Sequence, residues 1–255
     1  DCANVIGIPE GECDALVALY NGTDGVNWRN KTGWLVTHTP CSWQGITCNG
    51  GHVEELFRHY SNLSGPIPSQ LGDLTYLKSL NLSYNQLTGP IPPVLGTLAN
   101  LQVLNLYNNQ LTGPILLTLS DLSNLTSLNL SSNQLTGSIP PTLGNLTKLG
   151  WLELQSNQLT GAIPPELGNL AKARMFRLDS NQLSGAIPPT LGNLAKAEWL
   201  FLNNNQLSGT IPLELTKLNT NLLKLFLTGN QLTGSIPPEL SKLTNLEELL
   251  LSTNQ

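Results

Sequence analysis

Two sets of residues in this 255-residue chain have types and spacings from which chemistry could arise. One is a group of four cysteines near the N-terminus. The other is a set of aromatic, methionine and charged residues between positions 151 and 226. Cysteines pair with each other or bind metals, whereas aromatic side chains on a surface bind ligands by stacking and burial.

The sequence contains no recognisable set of catalytic residues. The three histidines, His38, His52 and His59, are scattered, and no Gly-x-Ser-x-Gly, phosphate-loop or His-Glu-x-x-His motif occurs. Catalysis needs acid, base or nucleophilic groups that converge on one place. We therefore predict a non-enzymatic protein with no cofactor and no metal site.

The candidate ligand-binding residues recur every 24 or 25 positions in two series. Trp151, Met175 and Trp199 form the first series, and the second series lies two residues further along. Exposed aromatic clusters rimmed by polar groups mark binding sites. The predicted ligand-binding set is Trp151, Glu153, Met175, Arg177, Trp199, Phe201 and Phe226. Arg177 either orients a polar ligand or pairs with Glu153 or Asp179.

These spacings come from an internal repeat of 24 residues that begins near Val53. The phrase Asn-Gln-Leu marks it, and the step is 25 residues only before Asn230, where the extra residue falls within 217–221. The chain thus divides into residues 1–52 and about nine repeats over 53–255, the last incomplete. A period of this length indicates a solenoid, in which each repeat buries its apolar face against its neighbours.

Each position of the repeat has a physical role. Leu80 and Leu82 alternate with polar residues, which predicts a short strand with one buried face. Asn85 can bond backbone groups where the chain leaves the strand, so stacked repeats would turn it into a ladder. Gly89 permits a tight bend, and the Ile-Pro step that follows keeps the chain extended.

The remaining strand positions point outward, and equivalent residues of adjacent repeats should lie about 5 Å apart. The chain has five Trp, five Tyr and four Phe, and eight of these occupy outward positions: Phe57, Tyr60, Tyr84, Tyr107, Trp151, Trp199, Phe201 and Phe226. Only Phe176 takes a core Leu position. This distribution favours ligand binding, while stacked apolar residues that only stabilise the sheet are the competing interpretation.

The first 52 residues lack the repeat and predict a cap. The segment from Asp14 to Tyr20 has helical apolar spacing, with Asp14 as its N-cap, and Trp28, Trp34 and Trp43 are expected in the core. Four cysteines confined to this region, Cys2, Cys13, Cys41 and Cys48, predict two disulfides. A zinc site is disfavoured because no Cys-x2-Cys pair occurs, and the residues alone leave three disulfide pairings open.

Composition limits the partners. Charged residues make up 11% of the chain, the net charge is −5, and no basic run is present, so nucleic acid is not an expected partner. No apolar stretch approaches the roughly 18 residues of a membrane span. Paired cysteines favour an extracellular or cell-surface location, and we expect a monomer in isolation. Since the chain stops inside a repeat, we also expect the natural polypeptide to continue beyond residue 255.

The repeat Leu-Thr/Ser-Gly-x-Ile-Pro resembles that of plant-type leucine-rich-repeat proteins, and Cys41-Ser-Trp43-Gln-Gly45-Ile-Thr-Cys48 resembles their N-terminal cap. The family includes receptor-kinase ectodomains and polygalacturonase-inhibiting proteins, and similar caps occur in secreted bacterial and algal proteins. Departures are Arg58 in a core Leu position, Ala173 and Ala197 in opening Leu positions, and Ile115-Leu116 without its Pro.

The resemblance implies an α/β solenoid, a right-handed superhelix with a parallel sheet on its concave face and short 3-10 or irregular segments on its convex face. It also implies that Cys41 bonds to Cys48 and Cys2 to Cys13. The function it implies is an extracellular recognition module for a protein, peptide or glycan. A structural or adhesive repeat without a single ligand is the alternative. Ice binding is a third possibility, weakened because the regular series Asn81, Asn105, Asn129 stops at Glu153.

Overall fold

The computed structural model describes residues 2–255. The chain forms two compact units, an N-terminal unit that ends at Leu125 and a C-terminal unit, Thr126–Gln255. Both are built mainly from repeats that contain a three-residue strand, a second strand and a 3-10 turn. The predicted α/β solenoid, with parallel strands and short 3-10 segments, is confirmed.

The cap consists of helix α1 (Glu10–Gly22), two short 3-10 turns and an antiparallel hairpin of β1 (Ile46–Asn49) and β2 (His52–Phe57). Disulfides join Cys2 to Cys13 and Cys41 to Cys48, the pairing that the family resemblance implies. Trp28, Trp34 and Trp43 are buried, as expected.

The predicted helix start at Asp14 is wrong, because α1 begins four residues earlier. Pro9 is extended and serves as the N-cap, and the Cys13 N–H donates to the Pro9 carbonyl at 3.2 Å. The first turn carries Glu10 and Glu12, whose negative charges favour a helix N-terminus. A cap made by a proline backbone lacks the side-chain oxygen on which the sequence-based prediction depended.

The repeats place short strands in two parallel sheets within each unit. We call the sheet of three-residue strands the main sheet and the other the second sheet. In the N-terminal unit the main sheet has the order β2-β4-β6 and the second sheet β3-β5-β7. The strands are β3 (Ser64–Pro66), β4 (Ser79–Asn81), β5 (Gln86–Pro90), β6 (Val103–Asn105) and β7 (Gln110–Pro114).

In the C-terminal unit the main sheet has the order β8-β10-β12-β14-β16-β18 and the second sheet β9-β11-β13-β15-β17. The main-sheet strands are β8 (Ser127–Asn129), β10 (Trp151–Glu153), β12 (Met175–Arg177), β14 (Trp199–Phe201), β16 (Lys224–Phe226) and β18 (Glu248–Leu250). The second-sheet strands are β9 (Gln134–Ser138), β11 (Gln158–Ala162), β13 (Gln182–Ala186), β15 (Gln206–Gly209) and β17 (Gln231–Leu232).

The extra residue of the 25-residue repeat is absorbed away from the main sheet. The 3-10 turn of that repeat, Leu213–Leu218, has six residues, whereas the preceding turn, Pro189–Asn193, has five. Phe201 still pairs in register with Phe226 across β14 and β16. The outward residues therefore keep their alignment despite the longer repeat.

Arg58 fills a core Leu position and ties the cap to the first repeat. Its side chain is 1% exposed, and its guanidinium donates to the carbonyls of Asn30, Gln44 and Arg29 at 2.9, 3.2 and 3.0 Å. It also lies 4.5 Å above the Trp28 ring. Burial lowers the pKa of Arg58 to about 10. The group therefore remains charged at neutral pH, and its hydrogen bonds are strengthened by that charge.

The repeated Asn forms the expected ladder. Asn157 accepts the Leu135 N–H at 3.0 Å through Oδ1, and its Nδ2 donates to the carbonyls of Leu130 and Leu154 at 3.0 and 3.1 Å. Leu135 and Leu130 belong to the preceding repeat, so one side chain joins two repeats through their backbones. Equivalent bonds are made by Asn85, Asn109, Asn181, Asn205, Asn230 and Asn254.

We predict that Asn157→Ala destabilises the protein by about 2–4 kcal/mol, because it leaves backbone donors and acceptors unpaired inside the protein. Urea denaturation followed by circular dichroism measures the change. Gln158→Ala, at the exposed neighbouring position, is the matched control and should stay within about 0.5 kcal/mol of the parent. Equal effects of the two substitutions would contradict the role of the ladder.

Candidate functional site

The outward face of the main sheet in the C-terminal unit brings the first predicted series together. Strand pairing places Trp151 opposite Met175, Met175 opposite Trp199 and Trp199 opposite Lys224. Adjacent strands lie about 4.8 Å apart, so the two tryptophans are about 10 Å apart along the series. Trp151 is 42% exposed, and Met175 and Trp199 are partly exposed.

The second series lies beside the first on the same strands. Phe201 and Phe226 stack in parallel, with ring centroids 4.3 Å apart and planes 4° from parallel. The Arg177 guanidinium lies 5.1 Å from the Phe201 centroid, which allows a cation–π contact. We call Trp151, Met175, Trp199, Phe201 and Phe226 the aromatic strip. A cavity of 230 Å³ opens between its two series, lined by Met175, Arg177, Trp199, Phe201 and Lys224.

The charges beside the aromatic strip are already paired within the protein. Arg177 forms a two-pronged ion pair with Asp179, with both N–O distances 3.1 Å, and Asp179 is buried. Of the two partners that the sequence allowed, the structure therefore selects Asp179. Lys224 pairs with Glu248 at 3.0 Å. Because these charges have partners, the strip offers a ligand mainly apolar and aromatic surface.

Glu153 is the acidic residue that borders the strip. Burial raises its pKa above the ordinary value of 4.5, and this effect outweighs the hydrogen bond from Gln155 and the positive charge of Arg177. The nearby negative charge of Asp179 acts in the same direction as burial. Glu153 is therefore less acidic than a solvated glutamate and takes up a proton more readily at mildly acidic pH.

A polar feature beside the strip was not predicted from sequence as part of a site. Gln155 and Asn203 lie two residues beyond the ends of β10 and β14, and the side-chain oxygen of each is buried without a hydrogen-bond partner among residues 2–255. Equivalent positions carry Ser83 and Ser131, whose hydroxyls donate to Asn81 and Asn129. The change from a small hydroxyl to a longer amide was visible in the sequence and was the available signal.

The remaining outward aromatics, Phe57, Tyr60, Tyr84 and Tyr107, lie in the N-terminal unit and are not part of the aromatic strip. Within residues 2–255, no cluster of His, Cys, Asp or Glu is arranged to hold a metal ion. None of the helices in this range has the length and apolar character that crossing a membrane requires.

Fold and surface together define a class: a repeat solenoid with a stapled N-terminal cap, whose outward strand positions form its variable surface. The chain belongs to the leucine-rich repeat family. The family model described as Leucine Rich Repeat matches residues 76–98, 100–122, 124–146, 148–170, 173–194, 196–218 and 221–243. The model described as Leucine rich repeat N-terminal domain matches residues 9–49.

Similar proteins include plant receptors. The LRR receptor-like serine/threonine-protein kinase FEI 2 of Arabidopsis thaliana is 38% identical over 81 residues, which cover 29% of this chain and 13% of that protein. The Arabidopsis receptor kinase HAESA, solved in complex with the peptide hormone IDA and the co-receptor SERK1, is 30% identical with a TM-score of 0.73. That match covers 95% of this chain and 46% of the solved chain, so this chain spans less than half of either relative.

A plant ice-binding protein is also similar, with 27% identity and a TM-score of 0.67, and the match covers 96% of each chain. Proteins that share this fold thus serve different purposes. The fold alone does not determine the function, and the outward residues must decide it.

We predict that Glu153→Gln raises the melting temperature at pH 7 but not at pH 3.5. The pKa of Glu153 is higher in the folded protein than in the unfolded chain. The folded protein therefore loses stability as the pH rises from the pKa of the unfolded chain through that of the folded protein. Replacing the carboxyl removes that loss. Glu166→Gln, an exposed glutamate in a 3-10 turn, is the control for a change of net charge. A gain from Glu153→Gln that is the same at both pH values would exclude ionisation as the cause.

Proposed function

We propose that this chain is an extracellular recognition module whose aromatic strip binds a peptide or an extended segment of a protein. The observation that carries the proposal is the register that aligns Trp151, Met175 and Trp199 beside Phe201 on one exposed face. A strip of this kind buries a large apolar area at a small cost in side-chain entropy, which is typical of binding hot spots.

The chemistry of the strip favours a peptide over a charged glycan. Arg177 and Lys224 are engaged by Asp179 and Glu248, so neither cation is free to attract an anionic sugar. The buried oxygens of Gln155 and Asn203 add acceptors near the strip. A peptide supplies both apolar side chains and backbone N–H donors, and such donors could satisfy these oxygens after small side-chain rotations.

The relatives support this class of ligand. HAESA is described in complex with a peptide hormone and a co-receptor. The two disulfides of the cap are consistent with an oxidising compartment outside the cell. A structural or adhesive repeat without a specific ligand remains the alternative, and it differs in having no saturable binding partner.

We predict that panning a library of random 12-residue peptides against the protein selects peptides that share a large apolar or aromatic residue. Trp199→Ser should weaken each selected peptide at least about tenfold in isothermal titration, because a hot-spot contact is lost. The melting temperature should stay within about 2 °C of the parent, because Trp199 supports no core residue.

Tyr76→Ser is the matched control, since Tyr76 is an exposed aromatic residue of the other unit that stacks on His52. It should leave the affinities unchanged. Failure to obtain any saturable peptide would favour the structural alternative. Selected peptides that bind Trp199→Ser as tightly as the parent would place the site elsewhere.

Ice binding is the second candidate, favoured by the similarity to a plant ice-binding protein over nearly the full length of both chains. Its residue-level support is weak. The side-chain oxygens of Asn81, Asn105 and Asn129 accept the backbone N–H groups of Ser83, Tyr107 and Ser131 at 3.1 Å. These oxygens are therefore used inside the protein and are less available to a water lattice.

We accordingly predict no thermal hysteresis at millimolar protein concentration, beyond that of an equally concentrated unrelated protein. Nanolitre osmometry with observation of ice-crystal shape measures it. Faceted ice crystals together with a hysteresis gap would establish the second candidate. Loss of that gap in Asn129→Ala would then assign the activity to this series of residues.

A further inference from the structure

A second group of aromatic residues lies in the N-terminal unit, where the first repeats meet the cap. The rings of Tyr60 and Tyr84 are 6.5 Å apart and those of Tyr84 and Tyr107 are 4.8 Å apart, both edge to face. The guanidinium of Arg29, from the cap, lies 4.3 Å from the Tyr60 centroid. We call these four residues the tyrosine cluster.

The backbone shows that the fold does not require tyrosines at these positions. Tyr60 and Tyr84 have φ angles of 49° and 54°, in the left-handed region, which bulky residues adopt only at a cost. The equivalent residue has the same conformation in the following repeats, where no aromatic residue occupies it: Asn108, Ser132, Ser156, Ser180, Asn204, Gly229 and Thr253.

The rings of Tyr60 and Tyr84 are 62% and 47% exposed, so burial does not offset this cost. A backbone outlier that packing leaves unexplained is a reason to look for a function at that place. Here the unfavourable conformation turns two aromatic rings outward beside a cation.

The charge of the cluster is positive and has no acidic partner. Arg29 makes no ion pair within residues 2–255, in contrast to Arg177 of the aromatic strip. The backbone N–H of Arg29 donates to the Ser61 carbonyl at 2.8 Å, which ties this residue of the cap to the first repeat. A hydrogen bond from Arg29 and the charge of its guanidinium lower the pKa of Tyr60.

Amides complete the lining. A cavity of 170 Å³ is bordered by Arg29, Tyr60 and Tyr84 together with Asn62, Gln86 and Asn108. Gln86 donates to Asn62 at 2.8 Å, and Asn62 donates to the Asn27 carbonyl at 3.0 Å, so these amides are held in order. No aliphatic side chain lines this cavity, which makes it a poor receptor for the apolar side chains of a peptide.

We propose that the tyrosine cluster is a binding site for an acidic glycan, with Arg29 holding the carboxylate of a uronic-acid residue. The guanidinium matches a carboxylate with two parallel hydrogen bonds. Tyrosine rings pack against the C–H face of a sugar ring, and the amides of Gln86 and Asn108 bind its hydroxyls. The site lies in the other unit from the aromatic strip and does not depend on the function proposed for that strip.

The test is isothermal titration of the protein with tetragalacturonate and tetraglucuronate, with the methyl ester of tetragalacturonate as the neutral match. At least one uronate should bind with a dissociation constant below about 1 mM. The ester should bind at least tenfold more weakly. Arg29→Gln should weaken uronate binding at least tenfold, and Tyr84→Asn at least fivefold.

Tyr84→Asn installs the residue found at the equivalent position 108, which suits the left-handed backbone, so its melting temperature should stay within about 2 °C of the parent. Tyr76→Ser, at an exposed tyrosine outside the cluster, is the matched aromatic control and should bind the uronate like the parent. Three results would each overturn the proposal: no binding of either uronate, equal binding of the ester, or equal binding of tetraglutamate, which has the same charge without sugar rings.

Discussion

The structure depends above all on one asparagine side chain per repeat that reaches the backbone of the repeat before it. Asn157 satisfies a donor and an acceptor of that neighbour while also bonding its own strand end. A shorter side chain could not span this distance, and a longer one would be held less firmly. Since six other asparagines make the same bond, the spacing between these repeats is limited by the length of one side chain. The leucines on the inner side can then pack at a constant spacing.

The first repeat of such a ladder has no repeat before it, and the N-terminal cap covers it instead. The charged side chain of Arg58 takes the position of a core leucine and donates hydrogen bonds to three backbone carbonyls of the cap. Leucine would fill the space but leave those carbonyls without this donor. The cap is therefore joined to the repeats by directed bonds as well as by apolar contact, and this makes its orientation specific.

The repeat, its parallel strands and its ladder could be predicted because each follows from a period and a residue type. The alignment of Trp151, Met175 and Trp199 followed from the same arithmetic. Other features could not be read from the chain. The start of α1 depended on the backbone of Pro9 rather than on a capping side chain. The pairing of Arg177 with Asp179 depended on the rotamers of these two side chains at the end of β12. The backbone at Tyr60 and Tyr84 is left-handed because the turn requires it. Tyrosine rarely adopts this conformation, so the residue type alone would have predicted otherwise.

The six-residue 3-10 turn Leu213–Leu218 shows that a repeat tolerates an added residue in its turn, which it would not tolerate in its strand. An added residue there leaves Phe201 and Phe226 stacked, whereas an added residue within a three-residue strand would move the side chains that follow it in that strand to the opposite face. Length can thus vary along the row of 3-10 turns while the pattern displayed by the main sheet is preserved. For protein engineering, these turns are the natural places to insert a fluorescent reporter or a tether to a solid support, because the opposite row of strands keeps its spacing.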